Sequence, residues 1–199
     1  MYKKLAYSSF FLFFLFLCKN SYGFLINEIA GTVNGTPITL NELYFFANVN
    51  QINELKCNEL NHRFSKSSFK RNLNIYINRL IILEQEKKIG MIKVSKNQID
   101  AYIKSFKKKF KAACKNMQFS TFLKKYGFDK IMFFDYVKNT LLEKEFISER
   151  LRFLLYSPES GISTLNNKKK MQSKELLSKL EAWVQRLRKH ADIEINDNY

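Results

Sequence analysis

The stretch Ile29–Leu43, IAGTVNGTPITLNEL, decides the fold because it holds a strand, a tight turn and a helix start in close succession. Ile29–Val33 is short, apolar and rich in β-branched residues, which predicts a β-strand. Asn34–Gly35 follows, the dipeptide that most readily adopts the positive φ angles of a tight turn. Thr39 stands three residues before Glu42, the spacing of a capping box that begins a helix.

A strand this short is not stable alone and needs a partner. The candidate partner is Ile193–Ile195, close to the other end of the chain. We therefore expect a small two-stranded pairing between the N- and C-terminal ends. The sequence has only six glycines and two prolines, a composition that favours helix between these strands. The predicted fold class is mainly α.

Apolar residues at helical spacing predict six helices between the two strands. Ser95 and Gln98 form a second capping box, and Gly90 and Gly127 are placed to end helices. The predicted helices cover about 40–56, 69–89, 96–117, 119–126, 130–155 and 171–191.

Residues 1–23 have the pattern of a targeting segment. A positively charged start is followed by the apolar run Phe10–Cys18 and by small residues at Ser21 and Gly23, which predicts a cleaved signal peptide and export. The run is shorter than the roughly 20 residues that cross a bilayer. A lipid anchor at Cys18 is the alternative.

The chain is strongly basic, with 34 Lys and Arg against 18 Asp and Glu. Its net charge of +16 falls to +13 if the leader, with three lysines and no acidic residue, is removed. Lysines concentrate between Lys104 and Lys115, where they could bind phosphates or simply form a solvated helix face. Because the chain is expected to be exported, an anionic membrane surface or an acidic polypeptide is favoured as its binding partner over a specific nucleic acid.

The two cysteines that follow the leader are Cys57 and Cys114. They could pair in an oxidising compartment, although two cysteines do not make a disulfide framework. Their pairing stays open from the sequence.

No group of residues has the pattern of a catalytic or metal site. His62 and His190 are the only histidines and stand among polar residues, and no Cys/His spacing fits zinc. Phosphate-binding glycine loops and nucleophile turns are absent from the sequence. We expect no enzyme activity, no metal and no cofactor.

Turn formers between Tyr156 and Lys170 predict a linker between two parts of the chain. On either side of this linker stand the motifs Val33–Thr39 with Asn41–Leu43, Leu80–Leu83 with Gly90, Phe122–Leu123 with Tyr126–Gly127, and Trp183–Arg188 with Ile193–Ile195. These motifs are weak singly, but together and in this order they resemble the SurA-type periplasmic chaperones. The resemblance implies that the exported protein is periplasmic.

The resemblance implies a division into a signal peptide (1–23), a SurA-like N-terminal chaperone region (24–156), a linker (157–170) and a C-terminal helix and strand (171–199). Family members normally carry parvulin-type prolyl isomerase domains where this chain has only the linker. The resemblance therefore implies a chaperone module that lacks isomerase activity and whose C-terminal helix packs back on the N-terminal region.

The function that the resemblance implies is that of an ATP-independent holdase for unfolded exported proteins, outer-membrane proteins above all. Phe45–Phe46 and Phe133–Phe134 are adjacent pairs that cannot both face one narrow core stripe. These four residues are the predicted client contacts, with packing of the last helix as the alternative. Trp183, Ile193 and Ile195 are the predicted structural anchors.

Two other functions stay open from the sequence. One is an accessory subunit or remnant of a PrsA/SurA-type prolyl isomerase. The other is a basic protein that binds anionic surfaces or nucleic acid. The sequence is compatible with a monomer or a homodimer.

Overall fold

The computed structural model describes residues 28–54, 57, 65–156 and 169–196. The predicted leader 1–23, with Cys18, and residues 157–168 of the predicted linker lie outside these ranges. The fold is mainly helical with a small antiparallel sheet, so the predicted fold class is confirmed. The elements are β1 (Ile29–Val33), β2 (Thr36–Thr39), α1 (Leu40–Asn53), α2 (Lys66–Ile89), α3 (Lys96–Ala113), α4 (Phe119–Lys125), α5 (Lys130–Tyr156), α6 (Lys169–Lys189) and β3 (Ile193–Ile195).

The sheet has the strand order β2–β1–β3, so the first strand lies in the middle. The predicted pairing of Ile29–Val33 with Ile193–Ile195 is confirmed and is antiparallel. The sheet has one strand more than predicted, because β2 pairs with the other edge of β1. Asn34 and Gly35 form the turn between them, with φ angles of 49° and 75°. Pro37 is tolerated in β2 because that strand lies at a sheet edge.

Close approach of the two ends depends on Gly31. A Cβ atom at this position would lie 2.5 Å from the backbone oxygen of Glu194, well inside contact distance. Hydrogen bonds flank the pairing at both ends: the Asn34 amide donates to the Asp192 oxygen at 2.8 Å, and the Asn196 amide donates to the Ala30 oxygen at 3.0 Å. A residue without a side chain at position 31 therefore lets β3 join the sheet.

Local capping chemistry sets the helix ends. Both predicted capping boxes, Thr39 with Glu42 and Ser95 with Gln98, are present. Gly90 ends α2 in the left-handed conformation, with a φ angle of 67°. Helix α2 begins earlier than predicted because the hydroxyl of Ser65 accepts a hydrogen bond from the Ser68 amide and caps it there.

Most buried apolar side chains belong to one cluster, which we call the main core. Phe45 of α1 lies at its centre and stacks on Phe128, with 3.9 Å between the ring centroids. Four further rings surround Phe45 at 5.0–6.2 Å, those of Phe122, Tyr126, Phe133 and Tyr136. The main core consists of Ala30, Val33, Ile38, Leu43, Phe45, Phe46, Val49, Ile52, Phe69, Leu73, Tyr76, Ile77, Ile81, Ile99, Phe106, Phe110, Cys114, Phe122, Leu123, Tyr126, Phe128, Phe133, Tyr136 and Val137.

The last helix packs on α2 and α5 through a much smaller buried group. Ile82, Phe146 and Trp183 form this group, which we call the junction cluster. The Phe146 and Trp183 rings are 6.0 Å apart. Arg188 of α6 adds polar links to α2, because its guanidinium donates to the side-chain oxygens of Asn78 and Asn74.

Cys57 and Cys114 form a disulfide, with their Cα atoms 5.2 Å apart. The sequence left this pairing open. Cys114 is the residue that ends α3, and its side chain is buried in the main core. The bond therefore ties the segment that follows α1 to the C-terminal end of α3.

Candidate functional site

Three of the four predicted client contacts are core residues. Phe45, Phe46 and Phe133 are buried, and Phe134 is half-buried against the main core. The inference from adjacency was wrong because α1 is covered on more than one side. Phe45 faces the rings of α4 and α5, whereas Phe46 faces Tyr76 of α2, 5.1 Å away. Rings packed in this way are not available to an unfolded polypeptide.

The three predicted anchors differ in how they hold the C-terminal part. Trp183 is buried in the junction cluster. Ile193 is half-buried against the main core. Ile195 is 44% exposed, so it joins the fold through the backbone pairing with Gly31 rather than through side-chain packing.

Three exposed apolar side chains meet instead beside the junction cluster. Ile89, Met91 and Phe153 are 52%, 58% and 61% exposed and line one cleft. Its volume is about 220 Å³, and Phe146 and Trp183 are among the buried side chains at its wall. We call it the apolar cleft; its other lining residues are Gln85, Glu149 and Arg150.

Local structure explains why these three side chains meet. Gly90 ends α2, so Ile89 occupies its last turn and Met91 follows in an extended segment. The carboxylate of Glu86 accepts a hydrogen bond from the Ile92 amide at 3.1 Å, which holds this segment against α2. Phe153 follows Phe146 by seven residues, which places both on one face of α5.

Arg150 supplies a positive charge inside the apolar cleft. Its guanidinium carbon lies 5.2 Å from the Phe153 ring and 5.4 Å from the Trp183 ring, within cation–π range. Its Nε is buried and has no hydrogen-bond acceptor in the described part of the chain. Burial, and then the charge of Arg186, lower the pKa of Arg150. The guanidinium keeps its charge near neutral pH, because arginine is not deprotonated in proteins.

A second, larger groove runs between the β1–β2 turn, α2 and α5, with a volume of about 650 Å³. Part of its polar wall is internally paired: the Asn34 side-chain amide donates to Glu84, which also binds Lys88 at 2.8 Å. The hydrogen bonds from Lys88 and then Asn34 hold the pKa of Glu84 below its usual range. Lys87, Lys138 and Asn139 also line this groove, so its wall is more polar than that of the apolar cleft.

An ion pair joins α2 to α5. Arg79 lies 3.1 Å from the Glu143 carboxylate and donates to the Thr140 hydroxyl at 2.9 Å. Its guanidinium also lies over the Tyr136 ring at 4.7 Å. Burial raises the pKa of Glu143, and the charge of Arg79 offsets part of that rise. Arg79 is buried and Glu143 is half-buried, and the pair links two helices of the fold.

The described residues contain no group of three or more His, Cys, Asp or Glu side chains arranged to hold a metal ion. Among the same residues, no helix has the length and apolar character that a membrane crossing requires. No protein-family model matches the chain, and no curated protein matches it significantly.

Proposed function

We propose that the protein is an ATP-independent holdase that binds unfolded polypeptides in the apolar cleft and has no isomerase activity. The observation that carries this proposal is the meeting of Ile89, Met91 and Phe153 at one exposed site. Single exposed apolar residues scattered over a surface are normal in soluble proteins. A contiguous group of them is typical of an interaction site.

The chemistry of the apolar cleft suits a sequence-tolerant binder. Met91 is flexible and polarisable and can adapt to different apolar partners. The Trp183 and Phe146 rings give a rigid wall on which an aromatic or aliphatic side chain can pack. Contacts of this kind are weak singly, so a client can be released without a nucleotide.

The clients that we propose are unfolded exported proteins, with outer-membrane proteins as the main class and the periplasm as the compartment. This part of the proposal rests on the leader-like residues 1–23 and on the resemblance to SurA-type chaperones. The protein then acts on chains that carry alternating apolar residues and aggregate readily before they reach a membrane.

A light-scattering assay with a denatured β-barrel protein tests the function. The unmodified protein at equimolar ratio should suppress aggregation, and a variant with Ile89→Ser, Met91→Ser and Phe153→Ser should suppress it much less. A matched control replaces Ile75, Ile131 and Met132 by Ser, which removes exposed apolar side chains away from the apolar cleft.

Full suppression by the control variant, together with comparable melting temperatures for both variants, would assign the loss to the apolar cleft. Equal suppression by both variants would remove the site assignment. Absence of suppression by the unmodified protein would remove the holdase proposal. Catalysis of prolyl isomerisation in a proline-peptide assay would favour the isomerase-related alternative.

One observation favours a second function, binding to anionic membrane surfaces. Residues 101–128 carry eight lysines and no acidic residue. Six lysines of α3 and the turn after it are exposed: Lys104, Lys107, Lys108, Lys109, Lys111 and Lys115. Sedimentation with phosphatidylglycerol vesicles should be lost at high salt if these charges bind headgroups. Binding that is insensitive to salt would exclude this explanation.

A further inference from the structure

We propose that Arg150 makes the apolar cleft selective for polypeptide segments in which a carboxylate stands next to a large apolar side chain. This inference rests on the proposed function, because it names the class of client segment that the same cleft prefers. Arg150 would act as a specificity-determining residue, and the neighbouring apolar side chains would supply the rest of the binding energy.

The guanidinium is held in place but is not neutralised within the described part of the chain. It lies against the rings of Phe153 and Trp183, and its buried Nε has no hydrogen-bond acceptor among the described residues. The neighbouring carboxylate, that of Glu149, is bound instead by Arg152 at 2.7 Å. A partly buried charge without a partner is costly, so a client that provides a carboxylate gains from pairing with it.

The charges around Arg150 are consistent with an anionic ligand group. Arg186 of α6 lies close enough to lower the pKa of Arg150, so two positive charges act on this part of the apolar cleft. Gln85 is neutral, and Glu149 is engaged by Arg152. The resulting field attracts a negative group and repels a client lysine or arginine.

The shape of the apolar cleft limits what can enter beside that carboxylate. Its volume of about 220 Å³ is below the roughly 300–1,000 Å³ of pockets that take whole small ligands. One large side chain fits such a space better than a compact metabolite. A guanidinium recognises carboxylates by two parallel hydrogen bonds, so the best ligand places an apolar side chain and a carboxylate on adjacent residues.

Two kinds of client residue provide this arrangement, an acidic side chain beside an aromatic residue and a C-terminal aromatic residue with a free carboxylate. Fluorescence anisotropy with labelled ten-residue peptides separates them. The set contains a neutral amidated peptide with one Phe, the same peptide with Asp adjacent to Phe, one with Asp at the distant end, and one that ends in Phe with a free carboxylate.

We expect the peptide with adjacent Asp to bind the full-length protein about tenfold more tightly than the neutral peptide, the size of effect given by a hydrogen bond to a charged group. The peptide with distant Asp has the same net charge and should bind nearly as weakly as the neutral one. Comparison with the free C-terminal carboxylate shows which source the apolar cleft prefers.

The variant Arg150→Met should bind the neutral peptide as before and lose the preference for adjacent Asp. Arg150→Lys keeps the charge without the planar fork and should keep part of the preference. The matched control is Arg71→Met, which removes an exposed arginine of α2 outside the apolar cleft and should leave the preference unchanged.

Equal affinity for the neutral and adjacent-Asp peptides in the unmodified protein would overturn the inference, as would a preference that survives in Arg150→Met. An equal gain from distant and adjacent Asp would also overturn it, because general attraction by the lysines would then explain the effect. If the unmodified protein bound none of the peptides, the neutral one included, the proposed function itself would fail.

Discussion

The main core and the junction cluster are both built from apolar side chains, but they differ in how much apolar surface stays exposed beside them. In the main core, Phe45 is enclosed by five aromatic rings from α4, α5 and the turn between them. The junction cluster has only Ile82, Phe146 and Trp183 fully inside. Beside it, three large apolar side chains stay exposed in the apolar cleft.

The difference follows from how many elements cover each region. Helix α1 is covered by the hairpin and by several helices, so even adjacent phenylalanines find separate packing partners. In the described part of the chain, helix α6 packs mainly on α2 and α5, and three buried side chains form the junction cluster between them. Buried apolar packing is therefore concentrated in the main core, and exposed apolar surface lies beside the junction cluster.

The largest expected effect is that of Phe45→Ala in the main core. Removal of a fully buried ring should lower the free energy of unfolding by about 5 kcal/mol, the upper end for such truncations. Urea denaturation followed by circular dichroism measures it. Phe153→Ala, at an exposed position of the apolar cleft, is the control and should change the free energy by less than about 0.5 kcal/mol. Comparable losses in the two variants would contradict the contrast between the regions.

Removal of the disulfide should be next in size. Cys57 and Cys114 are 57 residues apart in sequence, and the chain-entropy model gives about 4 kcal/mol for a loop of this length. The variant with Cys57→Ser and Cys114→Ser should lose about this much free energy of unfolding and should therefore melt at a lower temperature. Reductant should destabilise the unmodified protein and leave this variant unaffected. A variant as stable as the oxidised protein would show that the bond does not restrict the unfolded chain.

Trp183→Ala should lower the free energy of unfolding by about 3 kcal/mol, which is the lower end of the range for a truncated aromatic residue, because the junction cluster is small. Hydrogen exchange should accelerate mainly in α6, whereas Phe45→Ala should accelerate it throughout the helical body. Leu177→Ala, at an exposed position of the same helix, serves as the control. Unchanged melting of Trp183→Ala would count against docking of α6 through this residue.

Gly31→Ala should lower the free energy of unfolding by about 2 kcal/mol, which is within the range for overpacking. The new Cβ would meet the backbone oxygen of Glu194, so β3 must move away. Hydrogen exchange should therefore accelerate at residues 193–196 while α6 stays protected. Thr36→Ala, at an exposed position of β2 that pairs with β1 and not with β3, is the control. If exchange at β3 were unchanged in Gly31→Ala, the close approach would not hold the two ends together.

The smallest expected effect is a loss of folding stability at alkaline pH, caused by buried tyrosines of the main core. Burial raises the pKa of Tyr126 from 10.0 to about 12, and it raises those of Tyr76 and Tyr136 further. The folded protein thus binds more protons than the unfolded chain above pH 10.0, and stability should fall as the pH rises through that value.

Tyr126→Phe should make this alkaline decline shallower. At neutral pH it should cost about 1 kcal/mol, because the Tyr126 hydroxyl accepts a hydrogen bond from the buried Asn48 side chain. Melting temperatures measured from neutral pH to above 10.0 test both parts. An alkaline decline as steep as that of the unmodified protein would show that Tyr126 titrates normally.

The parts of the fold that depend on a few neighbouring residues were predictable from sequence. Thr39 with Glu42 and Ser95 with Gln98 carry the whole capping box within four residues. The pairing of the two ends was predictable because the sequence offered one partner for the first strand. Strand β2 was missed because Pro37 disfavours strands except at an edge, and edge position depends on the assembled sheet.

The candidate site was not predictable in the same way. The adjacency of Phe45 and Phe46 says nothing about how many sides of α1 are covered, which is a property of the packed molecule. The exposed residues of the apolar cleft come from two distant segments, Ile89 with Met91 and Phe153. In the sequence, Gly90 indicated a helix end between the first two, and the spacing of seven residues placed Phe153 on the same helix face as Phe146. Exposure of these residues depends on how α2, α5 and α6 pack together, which no local sequence pattern gives.

The central place of β1 in the sheet also has a consequence during synthesis. A ribosome delivers β1 and β2 early and β3 after every other described element, because Thr32 and its partner Glu194 are 162 residues apart. One edge of β1 is thus unpaired while the helices are made, and an unpaired edge is a template for wrong strand pairing. The nascent chain stays open to intermolecular pairing until a strand of three residues closes it.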